Sequence, residues 1–131
     1  LPEVGVCEVR LSEAGRASPL FAGIESRFPT LQWHGAAVCK APAGAAILAH
    51  NAHCPIQALQ IGGKAFGSQY HVELIDTTVS DWGRIPEYRS ALEDITGPGG
   101  QALLEAATAE KMAQFRVAAE TLYGNFRAVI G

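Results

Sequence analysis

The chain has 131 residues, 48% of them hydrophobic, which suits one domain with a real core. Ten basic against 13 acidic residues leave a net charge of -3, the wrong sign for a nucleic-acid footprint or for a surface held on anionic lipid. No apolar run approaches the roughly 20 residues of a membrane helix.

Cys7, Cys39 and Cys54 form an odd, sparse set without paired spacing, unlike a secreted disulfide framework. Reduced thiols and a cytoplasmic location are expected. The start, LPEVGVCEVR, has neither an initiator Met nor a signal pattern, and suggests a chain cut from something longer.

Val4 to Leu11 alternates, with Gly5, Cys7, Val9 and Leu11 on the more apolar side, predicting a half-covered strand. Ser18 is placed to cap a single helical turn with Pro19 at its first position and Gly23 closing it. Thr30 to His34 reads as a short strand, Pro42-Ala43-Gly44 as a turn, and Ala46 to Ala49 as another strand. Ile56–Ile61 and Lys64–Tyr70 flank Gly62-Gly63, a pair that tolerates positive φ, so a tight antiparallel hairpin is predicted.

Beyond Asp76 the period changes. Pro86 starts a helix with Tyr88, Leu92 and Ile95 on one face, and Gly97-Pro98-Gly99-Gly100 breaks it. Met112, Phe115, Ala119, Leu122, Phe126 and Ile130 then mark one long amphipathic helix. Strands come first and helices last, the order of an α/β or α+β chain.

The chemistry centres on Phe66-Gly-Ser-Gln-Tyr-His-Val-Glu73. His71 and Glu73 are two apart on an extended run, so both side chains leave on one face. A carboxylate beside an imidazole selects a tautomer, aims the other ring nitrogen and stabilises the imidazolium. By itself the pair more often describes a surface His beside a Glu on an edge strand. His50 and His53 near Cys54 have a superficial metal spacing, but zinc wants about four converging ligands. No metal and no cofactor are expected.

The pair has company. Gly67-Ser68-Gln69-Tyr70-His71-Val72-Glu73 resembles the G-x-Q-[FY]-H-P-E segment of class I glutamine amidotransferases. Leu31-Gln-Trp-His-Gly35 resembles their Q-W-H-G-D segment, and Ala41 to Ala49 their L-P-x-G-A…L-A stretch. His53-Cys54-Pro55-Ile56-Gln57-Ala58 is similar to N-x-C-P-x-Q-A-F, and Glu3-Val4-Gly5 to the E-I-G before Ser18-Pro19-Leu20-Phe21. Ser80-Asp81-Trp82 and Leu122 to Phe126 look like the GMP-synthase-like branch. The likeness is collinear over nearly the whole chain.

The resemblance implies His71 as general base and Glu73 as its orienting acid, with His34 and Gln69 as weaker candidates for substrate binding. It implies hydrolysis of the glutamine side-chain amide through a thioester, with ammonia passing to a synthetase domain or subunit. It also implies an open, mostly parallel, flavodoxin-like sheet with an antiparallel hairpin and C-terminal helices. Residues 1–131 would be the C-terminal portion of that domain.

The family's G-x-C-x-G elbow is missing. Cys7, in Gly5-Val-Cys-Glu-Val9, comes nearest but lacks the second glycine and continues a strand. Cys39 and Cys54 read as structural thiols. Ala36 replaces the Asp after His-Gly, and Val72 the proline between His and Glu.

No nucleophile is therefore assigned in this chain, which is expected to be inactive alone and to self-associate or to need a companion segment. Two alternatives stay open: a γ-glutamyl hydrolase of the same fold, and a non-catalytic relict binding module.

Overall fold

A computed structural model describes residues 2–131. Five strands come first: β1 (Glu3–Leu11), β2 (Arg27–His34), β3 (Ala46–His50), β4 (Ala58–Ile61) and β5 (Ala65–Ser68). A short helix α1 (Glu13–Ala17) and a 3-10 turn (Pro19–Phe21) interrupt β1 and β2. Three helices follow the strands: α2 (Thr78–Trp82), α3 (Pro86–Thr96) and α4 (Gly100–Ile130).

The strands form one curled sheet, a half-barrel, in the order β2-β1-β3-β4-β5, and every pairing is antiparallel. This corrects the expectation of an open, mostly parallel, flavodoxin-like sheet. Parallel neighbours need a crossover of a dozen or more residues, usually a helix. The links from β2 to β3, β3 to β4 and β4 to β5 contain no helix, and the long helices all lie after the last strand. Strands before helices is the α+β order, and it prevails here.

Local chemistry explains the pairings. β1 runs beside β2 from Glu3 opposite His34 to Arg10 opposite Arg27. Pro29, opposite Glu8, lacks an N–H and is tolerated because β2 lies at the sheet's end. The strand begins at Arg27, three residues before the predicted Thr30. The hairpin forms as expected: Ile61 faces Ala65, and Gly62 turns the chain with φ +62°.

Val9, Leu31, Leu48 and Ala49 of the sheet meet Leu92 of α3 and Phe115 of α4 in one core. Of the predicted α3 face only Leu92 is buried, while Tyr88 and Ile95 remain exposed. α4 lies along the 3-10 turn, β1 and β2, and α2 and α3 pack on it. Its buried face is Leu104, Thr108, Met112, Phe115 and Ala118; beyond Ala118 the helix only half-covers Ala119 and Leu122.

Candidate active site

His71 follows the hairpin. Its backbone pairs with Leu31 in an isolated antiparallel bridge, His71 N–H donating to Leu31 O at 2.8 Å and Leu31 N–H to His71 O at 2.9 Å. That ladder pins position 71 against the middle of β2. Leu31 is fully buried, so the anchor is rigid.

From this anchor the imidazole and the Glu73 carboxylate project together. His71 Nδ1 donates to Glu73 Oε1 at 2.6 Å, a short, charge-assisted geometry. A carboxylate only accepts, so Nδ1 carries a proton, and in the neutral ring the lone pair lies on Nε2. Among the described residues nothing hydrogen-bonds Nε2, and the His71 side chain keeps 32% of its surface exposed.

The other oxygen, Glu73 Oε2, accepts from the backbone N–H of Val72 at 2.9 Å, which fixes the carboxylate plane. Partial burial alone would push this carboxyl up. The bond with His71, the backbone N–H groups of Glu73 and Val72 and the attraction of the His71 ring outweigh that, and hold it below its usual 4.5. Beside the pair, burial and then the Glu73 charge push the Tyr70 phenol well above its ordinary range, so it stays protonated.

An aromatic cluster backs the imidazole. The Trp82 ring meets His71 edge-to-face, with centroids 4.9 Å apart and planes at 74°. Trp82 in turn touches Trp33 at 5.8 Å and Tyr88 at 6.1 Å, and Trp33 Nε1–H donates to Tyr88 O at 3.2 Å. Trp82 and Tyr88 escaped the sequence reading as neighbours of the site. The only available signal was an aromatic residue on the helical segment just after His-x-Glu.

His34 and Gln69 are placed differently. His34 Nδ1 faces Ala36 O at 2.8 Å, and Nε2 faces Gln32 Oε1 at 3.0 Å and Glu3 Oε2 at 3.4 Å. Gln69 Oε1 accepts from Val38 N–H at 3.0 Å, while its Nε2 donates to Ile56 O at 2.9 Å and contacts Cys54 Sγ at 3.0 Å. Both side chains are therefore engaged within the chain, and neither bonds His71 or Glu73.

His34 belongs to a buried polar network that the sequence did not announce. Gln57 Nε2 donates to Glu3 Oε2 at 3.0 Å, and Gln32 Nε2 donates to Gln57 Oε1 at 3.2 Å and Thr30 Oγ1 at 3.1 Å. Asn51 Nδ2 donates to the other oxygen of Glu3. A buried carboxylate is tolerable because each oxygen has a partner.

The thiols lie elsewhere. Cys7 is half-buried in β1; burial first, then the charge of Glu3 and a bond to it, push its thiol up to about 11. Cys54 is buried and donates to Ile56 O at 3.3 Å, and exposed Cys39 contacts Ala37 O at 3.4 Å. Among the described residues no three His, Cys, Asp or Glu side chains converge as a metal site, and no helix is long and apolar enough to cross a membrane.

Comparison with known proteins places the chain in a family. Residues 4–81 match the family model described as glutamine amidotransferase class-I. Over 77 residues the chain is 36% identical to the glutamine-hydrolysing GMP synthase of Aeropyrum pernix, covering 59% of this chain and 14% of that protein. In fold it is similar to a glutamine amidotransferase of Thermotoga maritima, with TM-score 0.75 and 23% identity, over 95% of this chain and 50% of that one. A glutamine amidotransferase of Methylobacillus flagellatus gives 0.74 at 20% identity, over 97% and 52%. The chain spans about half the length of these solved structures and a seventh of the synthase.

Proposed function

The chain belongs to the class-I glutamine amidotransferase family, and from that membership we propose that His71 and Glu73 serve as the base and orienting acid of a glutaminase site of the GMP-synthase-like kind. The observation that carries the reading is the 2.6 Å Nδ1–Oε1 bond, which leaves Nε2 without a partner among the described residues, on a side chain that keeps 32% of its surface exposed.

In this reading a thiolate attacks the carbonyl carbon of the glutamine side-chain amide. Imidazolium Nε2–H protonates the departing nitrogen, ammonia leaves, and a γ-glutamyl thioester remains. Nε2 then takes a proton from water as its oxygen attacks the thioester, releasing glutamate and restoring the thiolate. Glu73 keeps the ring in one tautomer throughout and stabilises its charged form. The ammonia passes to a synthetase domain or subunit.

Among the described residues no thiol hydrogen-bonds His71 Nε2, and exposed Cys39 contacts Ala37 O instead. At neutral pH a thiol raised to about 11 is thiolate in only about 1 part in 10,000, and Cys54 is buried against Ile56. The nucleophile is assigned to a G-x-C-x-G segment outside residues 1–131, and this chain alone is inactive.

The test is release of glutamate from glutamine. Residues 1–131 alone give none. Joined to a segment bearing G-x-C-x-G ahead of residue 1, they turn over, and His71→Asn lowers kcat by about 10²- to 10⁴-fold. Turnover by residues 1–131 alone, or no effect of His71→Asn, overturns the assignment.

A further inference from the structure

We infer that Trp82 is a positioning residue for His71, holding the imidazole in the one orientation that both reaches Glu73 and presents Nε2 outward. The inference rests on the reading of His71 and Glu73 as the reacting pair.

An imidazole tethered at Nδ1 to a carboxylate two residues away still has freedom. Glu73 keeps 64% of its side-chain surface in solvent, and its anchor at Val72 N–H holds the carboxylate but not the imidazole, so the ring can still turn about the bond. A hydrogen bond between two half-exposed groups fixes a distance, not a plane. Something must bear on the ring itself, and Trp82 is the aromatic ring in contact with it, at 4.9 Å and 74°.

Trp82 is held from its own element and from behind. It is the last residue of α2, whose start is fixed by Ile75 N–H donating to Thr78 Oγ1 at 3.0 Å and Thr78 N–H donating to Ile75 O at 3.1 Å. Behind the indole stand Trp33 and Tyr88. Trp33 shares a face of β2 with Leu31, the residue that pairs with the His71 backbone. One strand therefore fixes the histidine backbone through Leu31 and supports the ring through Trp33 and Trp82. The two restraints share a frame, so they cannot drift apart.

The reading differs from core packing in what it predicts. A purely structural Trp82 would contribute volume, and any apolar residue of similar bulk would serve. A positioning Trp82 contributes a plane against which an edge-to-face contact forms, so an aromatic substitute serves and an aliphatic one does not.

The experiment is proton NMR of residues 1–131 labelled at histidine nitrogen, following the Nδ1–H of His71. A 2.6 Å bond to a carboxylate gives a low-field, exchange-protected signal, with Glu73→Ala as the control that removes it. Trp82→Phe retains the signal. Trp82→Leu, which keeps apolar bulk, loses it while the backbone amide spectrum outside the site stays unchanged. Persistence in Trp82→Leu, or loss in Trp82→Phe, overturns the inference. The signal reports orientation without turnover, so failure here leaves the glutaminase reading standing. Failure of the turnover test, in turn, leaves this result intact.

Discussion

At the scale of single residues, Glu73 connects the site to the stability of the fold. Its carboxyl titrates below its usual value when the chain is folded, because the ionised form is bonded by His71 and by backbone N–H. A group lowered in this way favours folding wherever it is ionised in both states. That contribution is complete above the unfolded value near 4.5 and is lost as pH falls through the lower folded value. Glu73→Gln keeps an acceptor but cannot titrate. Its urea midpoint is therefore expected to fall less between pH 5 and pH 3 than that of the parent chain, in an acid window that follows from linkage. Equal acid slopes for both proteins would show that the His71–Glu73 bond does not persist in solution.

Elements are where close approach decides. Helix α1 sits on β3 so tightly that a Cβ at Gly15 would lie 2.0 Å from the carbonyl oxygen of Leu48. The clash is with backbone, which no rotamer change relieves. Ser12 makes the approach possible: its hydroxyl accepts from Gly15 N–H at 3.0 Å, caps the helix, and donates to Ile47 O at 2.7 Å. Gly15→Ala is expected to cost about 1–3 kcal/mol, the usual range for forcing extra carbon into a packed contact, measured by urea unfolding. An unchanged midpoint would mean that α1 is not docked on β3.

What could be read from the sequence followed the same division between near and far. The hairpin, the long terminal helix and the facing of His71 with Glu73 depend on residues a few positions apart, and periodicity reveals such relations. Helix α1 was not anticipated, because five residues are too few for a period to emerge. Glu3, Gln32 and Gln57 form one buried network although 25 or more positions separate each from the next, and Trp82 reaches His71 only across the loop and helix α2 that follow it. No local pattern encodes such meetings. The sheet erred for a different reason. The resemblance carried the parallel sheet of a whole family domain onto a stretch whose own links contain no crossover helices.

For the molecule as a whole, the consequence lies in what the half-barrel and its helices leave uncovered. Helix α4 has 31 residues, about 46 Å at 1.5 Å per residue, and its buried face ends at Ala118. Leu103, Val117 and Tyr123 expose 70%, 65% and 65% of their surface, and Phe126 and Ile130 are also exposed. Near Phe126 an apolar cleft of about 470 Å³ opens between β5 and α4, lined by Phe66, Leu122 and Tyr123 and reaching Glu73. Exposed apolar side chains favour association in water, because the driving force grows with the area removed from solvent. Sedimentation velocity of residues 1–131 is expected to give an average mass above 13.8 kDa that rises with concentration. Val117→Glu combined with Tyr123→Glu places charge on the exposed side of α4 without touching its buried face, and shifts the distribution toward the monomer. A single 13.8 kDa species at every concentration would show that these side chains tolerate water as they stand, and would remove the argument that this surface of the half-barrel calls for a covering segment.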